Sequence, residues 1–267
     1  MIETIDRRVF GAIEFVDDVT EARVLAPLTV QAPGVGLMRS QSGFYVIRTF
    51  DGHDDYTRAF DDAPANPPRT DVAMTVQDPE RRYLPRGFTV ALPRLLRTPT
   101  SPVTDADNAV KPVQVRLSPA ASLTLRGTWA AMRLRVVVDA AGPEVGLANV
   151  LVEATPAVTG LTVQRTMTDF NGEALVVIAG APPMLPDPGP AGLTREFKVA
   201  LRLVLDKDVV RRSTDPSIPI PDPKRVLDRL AAMVPADPDP AVTAVDAGEQ
   251  LLSAGTSRRS LAKVSWT

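Results

Sequence analysis

The sequence predicts an all-β protein of two tandem β-sandwich domains, with one short helix in a proline-rich insertion. Three observations carry that expectation. Apolar and polar residues alternate with period two through stretch after stretch; proline, glycine and aspartate punctuate those stretches; and 267 residues suit two domains of roughly 100 to 150 residues each. The clearest stretch is Phe197–Leu205. There Phe197, Val199, Leu201, Leu203 and Leu205 form one apolar face, while Lys198 and Arg202 point the other way.

The same alternation predicts strands at Val72–Val76, Phe88–Leu92, Val113–Leu117 and Met132–Val138. The chain holds 26 prolines, about twice the usual frequency of roughly 5%. They cluster at Pro64–Pro68, Pro93–Pro102, Pro182–Pro190 and Pro216–Pro240. Proline has no N–H to give a central strand, so these clusters read as loops. One segment is helical in pattern: Asp222 stands as an N-cap, Pro223 follows in the first turn, and Val226, Leu227, Leu230 and Met233 share a side. The domains are expected at residues 1–121 and 122–267. The first ends near Ala120, Ser122–Arg126 connects, and the insertion occupies about 207–247. A strand over Ser260–Trp266 closes the second domain. Strand alternation also places Val152 in the second core and Leu151 on the opposite, milder face.

A repeat underlies the two halves. Val16-Asp17, then Val30 and Ala32, recurs as Val138-Asp139, then Val152 and Ala154, at an offset of 122 residues. In each copy a strand ends at Val-Asp and a second is reached at Ala26–Val30 or Leu147–Val152. A third is opened by Ser42-Gly43 or Asn171-Gly172, the second copy carrying seven more residues in the hairpin between. Gly43 and Gly172 are expected to serve turn geometry, since glycine takes positive φ without steric penalty.

The stretch Val138–Val150, with Gly146-Leu147-Ala148-Asn149-Val150 at its end, is followed by Thr168-Asp169-Phe170-Asn171-Gly172-Glu173-Ala174. It resembles the carboxypeptidase-regulatory-like and transthyretin-like β-sandwich families. The resemblance covers about 45 residues of the second domain; the first matches loosely, with Ser42-Gly43 in place of the Thr-Asp-x-x-Gly turn. It implies transthyretin-like or immunoglobulin-like sandwiches. A second set of segments comprises Arg8–Asp17, Ala26-Pro27-Leu28, Ala32–Val35, Ser42–Val46 and Asp78–Arg86. Together they resemble two-domain proteins encoded with phage-tail-like contractile injection systems. That likeness implies a non-enzymatic particle component or accessory, near the cap end, whose partners are sheath, tube, cap or baseplate subunits.

Composition excludes much chemistry. There is no cysteine and one histidine, so thiolate catalysis, disulfides and a three-histidine metal cage within one chain are ruled out. No Gly-x-Ser-x-Gly elbow, Walker loop or Gly-x-Gly-x-x-Gly occurs. The loop Asp51-Gly52-His53-Asp54-Asp55-Tyr56, continued by Asp61-Asp62, is oxygen-rich enough to suggest calcium, yet it lacks the EF-hand spacing. His53 is expected in a solvated loop, and Asp17 and Asp139 at turns. No catalytic, cofactor-binding or metal residue is assigned, and no enzyme activity or cofactor is expected.

The net charge of −2 gives no field favouring nucleic acid. No run of 18 apolar residues crosses a membrane and no apolar leader follows Arg7-Arg8, so a cytoplasmic protein is expected, compatible with release by lysis within a particle. Of 30 basic residues 25 are arginine, which suits protein interfaces. Pairs such as Arg81-Arg82, Arg211-Arg212 and Arg258-Arg259 are scattered among acids. The function expected is a structural or adaptor subunit that binds neighbours through strand edges and proline-rich loops, with room for oligomerisation in an assembly. The alternative is a carbohydrate- or surface-binding module using exposed Tyr45, Tyr56, Trp129 or Trp266.

Overall fold

A computed structural model describes residues 9–53, 56, 68–94, 108–126, 128–139, 143–181, 196–212, 220–232 and 241–265. Its described residues are mostly strand, with one described helix. The chain divides into two compact units: residues 1–79 with 86–117, and residues 80–85 with 118–267.

The first unit contains β1 (Gly11–Asp17), β2 (Thr29–Gln31), β3 (Val35–Arg39), β4 (Tyr45–Phe50), β5 (Thr70–Gln77), β6 (Arg86–Leu92) and β7 (Val113–Leu117). They form one sheet in the order β3-β4-β1-β7 and another in the order β2-β5-β6. Alternation places Ile13 and Phe15 of β1, Val72, Met74 and Val76 of β5, and Phe88, Val90 and Leu92 of β6 in the interior. Phe15 meets the Tyr45 ring edge to face at 5.3 Å and the Phe88 ring at 5.9 Å, bringing side chains of both sheets together. The strand read from Ala26 begins only at Thr29. Pro27 has no N–H, and the N–H and C=O of Leu28 are both taken by the Tyr45 hydroxyl, at 2.7 and 2.9 Å, instead of by a strand.

The second unit contains β8 (Ala130–Val138), β9 (Leu151–Pro156), β10 (Gln164–Met167), β11 (Glu173–Ile178), β12 (Phe197–Asp206), α1 (Pro223–Ala232), β13 (Val242–Leu252) and β14 (Ser257–Val264). Its sheets run β10-β9-β12-β13 and β11-β8-β14. One apolar cluster joins them, from Met132, Leu134 and Val136 on β8 to Val152 on β9, Val176 on β11 and Val199, Leu201 and Leu203 on β12. The helix lies where the sequence places it; Leu230 and Met233 fall outside the described side chains.

Several expectations need correction. Leu151 is not on a mild face: it is as fully buried as Val152. The outer side of β9 and β12 carries a second cluster in which Leu151, Met167 and Val204 pack with Val226 of α1, with Ile220 and with Leu84. The stretch read as insertion also holds the first residues of an eleven-residue strand, β13. A register shift against Leu201 and Arg202 skips Ala247, so the period-two pattern changes phase midway. The closing strand starts three residues earlier than Ser260, and Trp266 lies outside the described residues.

The repeat is visible in the strand order. β1 lies between antiparallel β4 and parallel β7, just as β8 lies between antiparallel β11 and parallel β14. The order β2-β5-β6 is matched by β9-β12-β13, while β3 joins β4 and β10 joins β9. The offset between β1 and β8 is 121 residues, one less than the sequence match suggests. The Phe15 carbonyl accepts from Val24 N as that of Val136 accepts from Leu147 N, and Asp18 N donates to Leu117 as Asp139 N donates to Val264. Period two requires the correction: at 122 Ile13 would match exposed Arg135, whereas at 121 it matches buried Leu134.

Candidate functional site

The glycine-and-turn motif of the second unit is framework. Thr168 is fully buried; its hydroxyl donates to the Leu147 carbonyl at 2.6 Å and accepts from Val150 N at 2.9 Å. Asp169 Oδ1 accepts from the amides of Asn171 and Glu173 at 2.8 and 2.9 Å, closing the turn before β11. Burial pushes the Asp169 carboxyl above its ordinary value, and these two amides only partly offset that. Gly172 has φ 78°, and a Cβ there would lie 2.6 Å from the Val136 carbonyl oxygen; one on Gly146 would lie 2.0 Å from that of Asn171. Asn149, at φ 65°, ends the approach to β9 and donates its amide to the Val209 carbonyl. That is why β9 starts at Leu151 and not at Leu147.

The first unit solves the same turn with different atoms. Ser40 N donates to Phe44 O and Gly43 N to Ser40 O, as Asp169 N donates to Glu173 O and Gly172 N to Asp169 O. The Ser40 hydroxyl accepts from Phe44 N at 3.0 Å, in the position of the Asp169 carboxylate. Ser40 is thus the counterpart of Asp169, which sequence reading missed. Asp17 is a turn cap, as expected: Oδ1 accepts from Val19 N and Thr20 N at 2.9 and 2.8 Å. Asp139 follows β8, where its main-chain N–H pairs with β14.

His53 is half-buried, its ring stacked on Phe50 at 4.4 Å and edge-on to Phe10, so aromatic packing and not solvation fixes it. Asp54, Asp55, Asp61 and Asp62 lie outside the described residues. Among the described residues no group of three His, Asp or Glu side chains is placed to hold a metal ion. A sugar-stacking surface needs exposed rings, but Tyr45, Tyr56 and Trp129 are only 5%, 6% and 8% exposed. No helix among the described residues is long and apolar enough to cross a membrane.

Two consecutive strands of the second unit are sheet edges among the described residues. β13 ends one sheet, β14 ends the other, and they lie beside each other. The two edges differ. On β13 the Asp246 carboxylate accepts from Gly248 N at 2.8 Å, Arg258 donates to the Leu251 carbonyl at 2.8 Å, and the phase shift at Ala247 bends the strand. Each device blunts an edge. β14 runs in unbroken parallel register against β8 from Ser257 to Val264. The carbonyls of Thr256 and Val264 accept from Ala131 and Asp139. Alternation therefore aims the main-chain groups of Ser257, Arg259, Leu261 and Lys263 away from β8.

A cleft of about 590 Å³ opens on the outer face of this sheet, lined by Arg133, Arg135, Arg259, Leu261, Ser122 and Glu173 among others. Arg133 is held in place: it donates to the carbonyls of Ala121 and Leu123 and to the Ser257 hydroxyl, at 2.8, 3.1 and 3.0 Å. Directly opposite it stands Arg259, exposed and without an ion pair among the described residues. Arg135 and Lys263 share Glu144, at 4.0 and 3.7 Å. Sequence reading noted the pair Arg258-Arg259 but not this grouping, because Arg133 and Arg259 are neighbours only through the β8/β14 pairing. No protein-family model, curated protein or solved structure matches the chain.

Proposed function

We propose that the protein is a non-enzymatic structural or adaptor subunit, built of two tandem transthyretin-like β-sandwich domains, that works through protein–protein contacts in a phage-tail-like contractile injection particle, as a cap-end or accessory component. One observation carries the contact part of this reading: β14 is a regular edge whose outward main-chain groups have no partner among the described residues, and its Leu261 is 46% exposed. A regular strand edge can pair with another chain; the basic side chains of β14 discourage basic partners, and its neighbour β13 is blunted. The sequence likeness of Arg8–Asp17, Ser42–Val46 and Asp78–Arg86 supports the particle assignment, with sheath, tube, cap or baseplate subunits as the neighbours.

The test is co-sedimentation. Tagged full chain, expressed with its neighbouring genes, is expected to travel with sheath and tube proteins. Recovery solely as free monomer from a lysate rich in intact particles overturns the reading.

A further inference from the structure

We infer that the free edge of β14 receives an extended segment of another polypeptide carrying carboxylate side chains at alternate positions, which lie in the arginine-lined cleft. This rests on the proposed contact role and names the partner's chemistry.

The main chain of β14 supplies half of the recognition. Its outward-directed residues, Ser257, Arg259, Leu261 and Lys263, present N–H and C=O groups at every second position, which is the spacing an added strand requires. The same four residues carry their side chains on the outer face, because Arg259 is opposite Arg133 and Leu261 opposite Arg135, both of which alternate with the core residues Met132 and Leu134. A strand laid along β14 therefore turns every second side chain toward the cleft.

Charge supplies the other half. Like charges directly opposite on neighbouring strands destabilise a sheet, and Arg133 and Arg259 are such a pair with no carboxylate between them among the described residues. Arg133 cannot swing away without giving up its bonds to Ala121, Leu123 and Ser257. Glu173, the acid within the cleft, stands across from Arg135 and forms no ion pair with the described residues. A visiting carboxylate near Arg259 relieves the repulsion and forms charge-assisted hydrogen bonds. Basic strands are discouraged for the same reason, so β14 does not favour pairing with another β14. The β13 edge of a second copy is a poor donor because its outward Leu251 carbonyl is already engaged and its register shifts at Ala247.

The experiment uses the purified full chain and a capped heptapeptide of alternating Val and Glu, followed by fluorescence anisotropy and by amide shifts of β14. Saturable binding with shifts at Arg259, Leu261 and Lys263 is expected. The matching Val/Lys peptide, and a Val/Glu peptide N-methylated at alternate residues, are each expected to bind at least about tenfold more weakly, the first for charge and the second for lost main-chain pairing. Arg259→Glu should lower affinity by a similar factor without lowering the melting temperature, since that side chain has no described partner to lose and the repulsion from Arg133 is removed. Leu261→Pro should also abolish binding while leaving the β8 ladder intact, because the Leu261 N–H points away from β8. Several results overturn the inference: no saturable binding, equal binding of the N-methylated peptide, or full competition by inorganic phosphate, which would make this an anion site only. Concentration-dependent dimerisation of the chain alone that Arg259→Glu removes would replace the acidic partner with a second copy. Each result is obtained without particles, so it stands or falls separately from co-sedimentation.

Discussion

At the scale of single residues, two turns show how different side chains reach one geometry. Ser40 and Asp169 each accept the amide four residues on and hold a glycine at positive φ, yet only the second is ionisable. Asp169→Asn keeps an acceptor and loses the charge. Because burial raises the Asp169 carboxyl in the folded chain, its ionisation opposes folding in full above that raised value, and the penalty fades as pH falls from there to the ordinary carboxylate value. Asp169→Asn should therefore melt at or above wild type at neutral pH, with the gap closing in acid. Glu14 has the opposite sign. Burial on β1 works to raise its carboxyl, but hydrogen bonds from Gln114 and Arg23 prevail and hold it below its ordinary value. Its contribution is complete above that ordinary value and is lost as pH falls through the lower folded one, so wild type should exceed Glu14→Gln at neutral pH and converge with it in acid. Thermal melts from pH 3 to 7 check both. Glycines separate by surroundings: Gly172→Ala meets main-chain atoms as well as a positive φ and should cost more than about 3 kcal/mol, whereas Gly52→Ala, at φ 76° with open space, should cost about 1 kcal/mol. Urea unfolding of the two variants measures the difference.

At the scale of elements, legibility followed exposure. β12 was readable because its core residues alternate without interruption, from Phe197 to Leu205. β13 was not, since it is wet on most of its length and the phase shift at Ala247 breaks the period. The outward side of β9 was misjudged for a non-local reason: Val226, Ile220 and Leu84 cover it, and nothing in the Leu151 neighbourhood announces them. Val152→Asp and Leu151→Asp should both cost several kcal/mol, at the upper tail for single substitutions, in contrast with the unequal outcome that alternation alone suggests. The helix is tied to the sheet by charge as well as by Val226. Asp206, at the end of β12, has a fully buried carboxylate that Arg229 Nη1 approaches at 2.7 Å from both oxygens, and Oδ1 also accepts from Asp208 N. Arg229→Ala leaves that carboxylate without its cation and should cost about 3 to 5 kcal/mol, readable as loss of helix docking in amide exchange. The candidate site was half visible. Arg258-Arg259 stood out in the sequence, but that β14 is an edge, and that Arg133 lies opposite Arg259, depends on a strand order no local pattern encodes.

At the scale of the whole molecule, the two units are not simple successive halves. The segment Glu80–Pro85 leaves β5 of the first unit, enters the second, and returns to β6. There Leu84 N donates to Ser118 O, Ala120 N to Arg82 O and Ile220 N to Pro85 O, while the Leu84 side chain is buried in the cluster under α1. Leu84→Ala should cost the second unit about 2 to 5 kcal/mol, the usual range for emptying a buried leucine site. A chain beginning at Ser118 lacks the whole segment and should melt lower than the second unit does in the full chain, which differential scanning calorimetry of both proteins would show. The repeat read from Val16-Asp17 and Val138-Asp139 gave no sign of this exchange, because the lent segment belongs to the loop between two first-unit strands and has no counterpart in the motif.

The backbone consequently passes between the two bodies three times, after Pro79, after Pro85 and after Leu117. Genetic shuffling that joins modules at a single splice point cannot transplant either body intact, so the pair is expected to be inherited as one indivisible cassette.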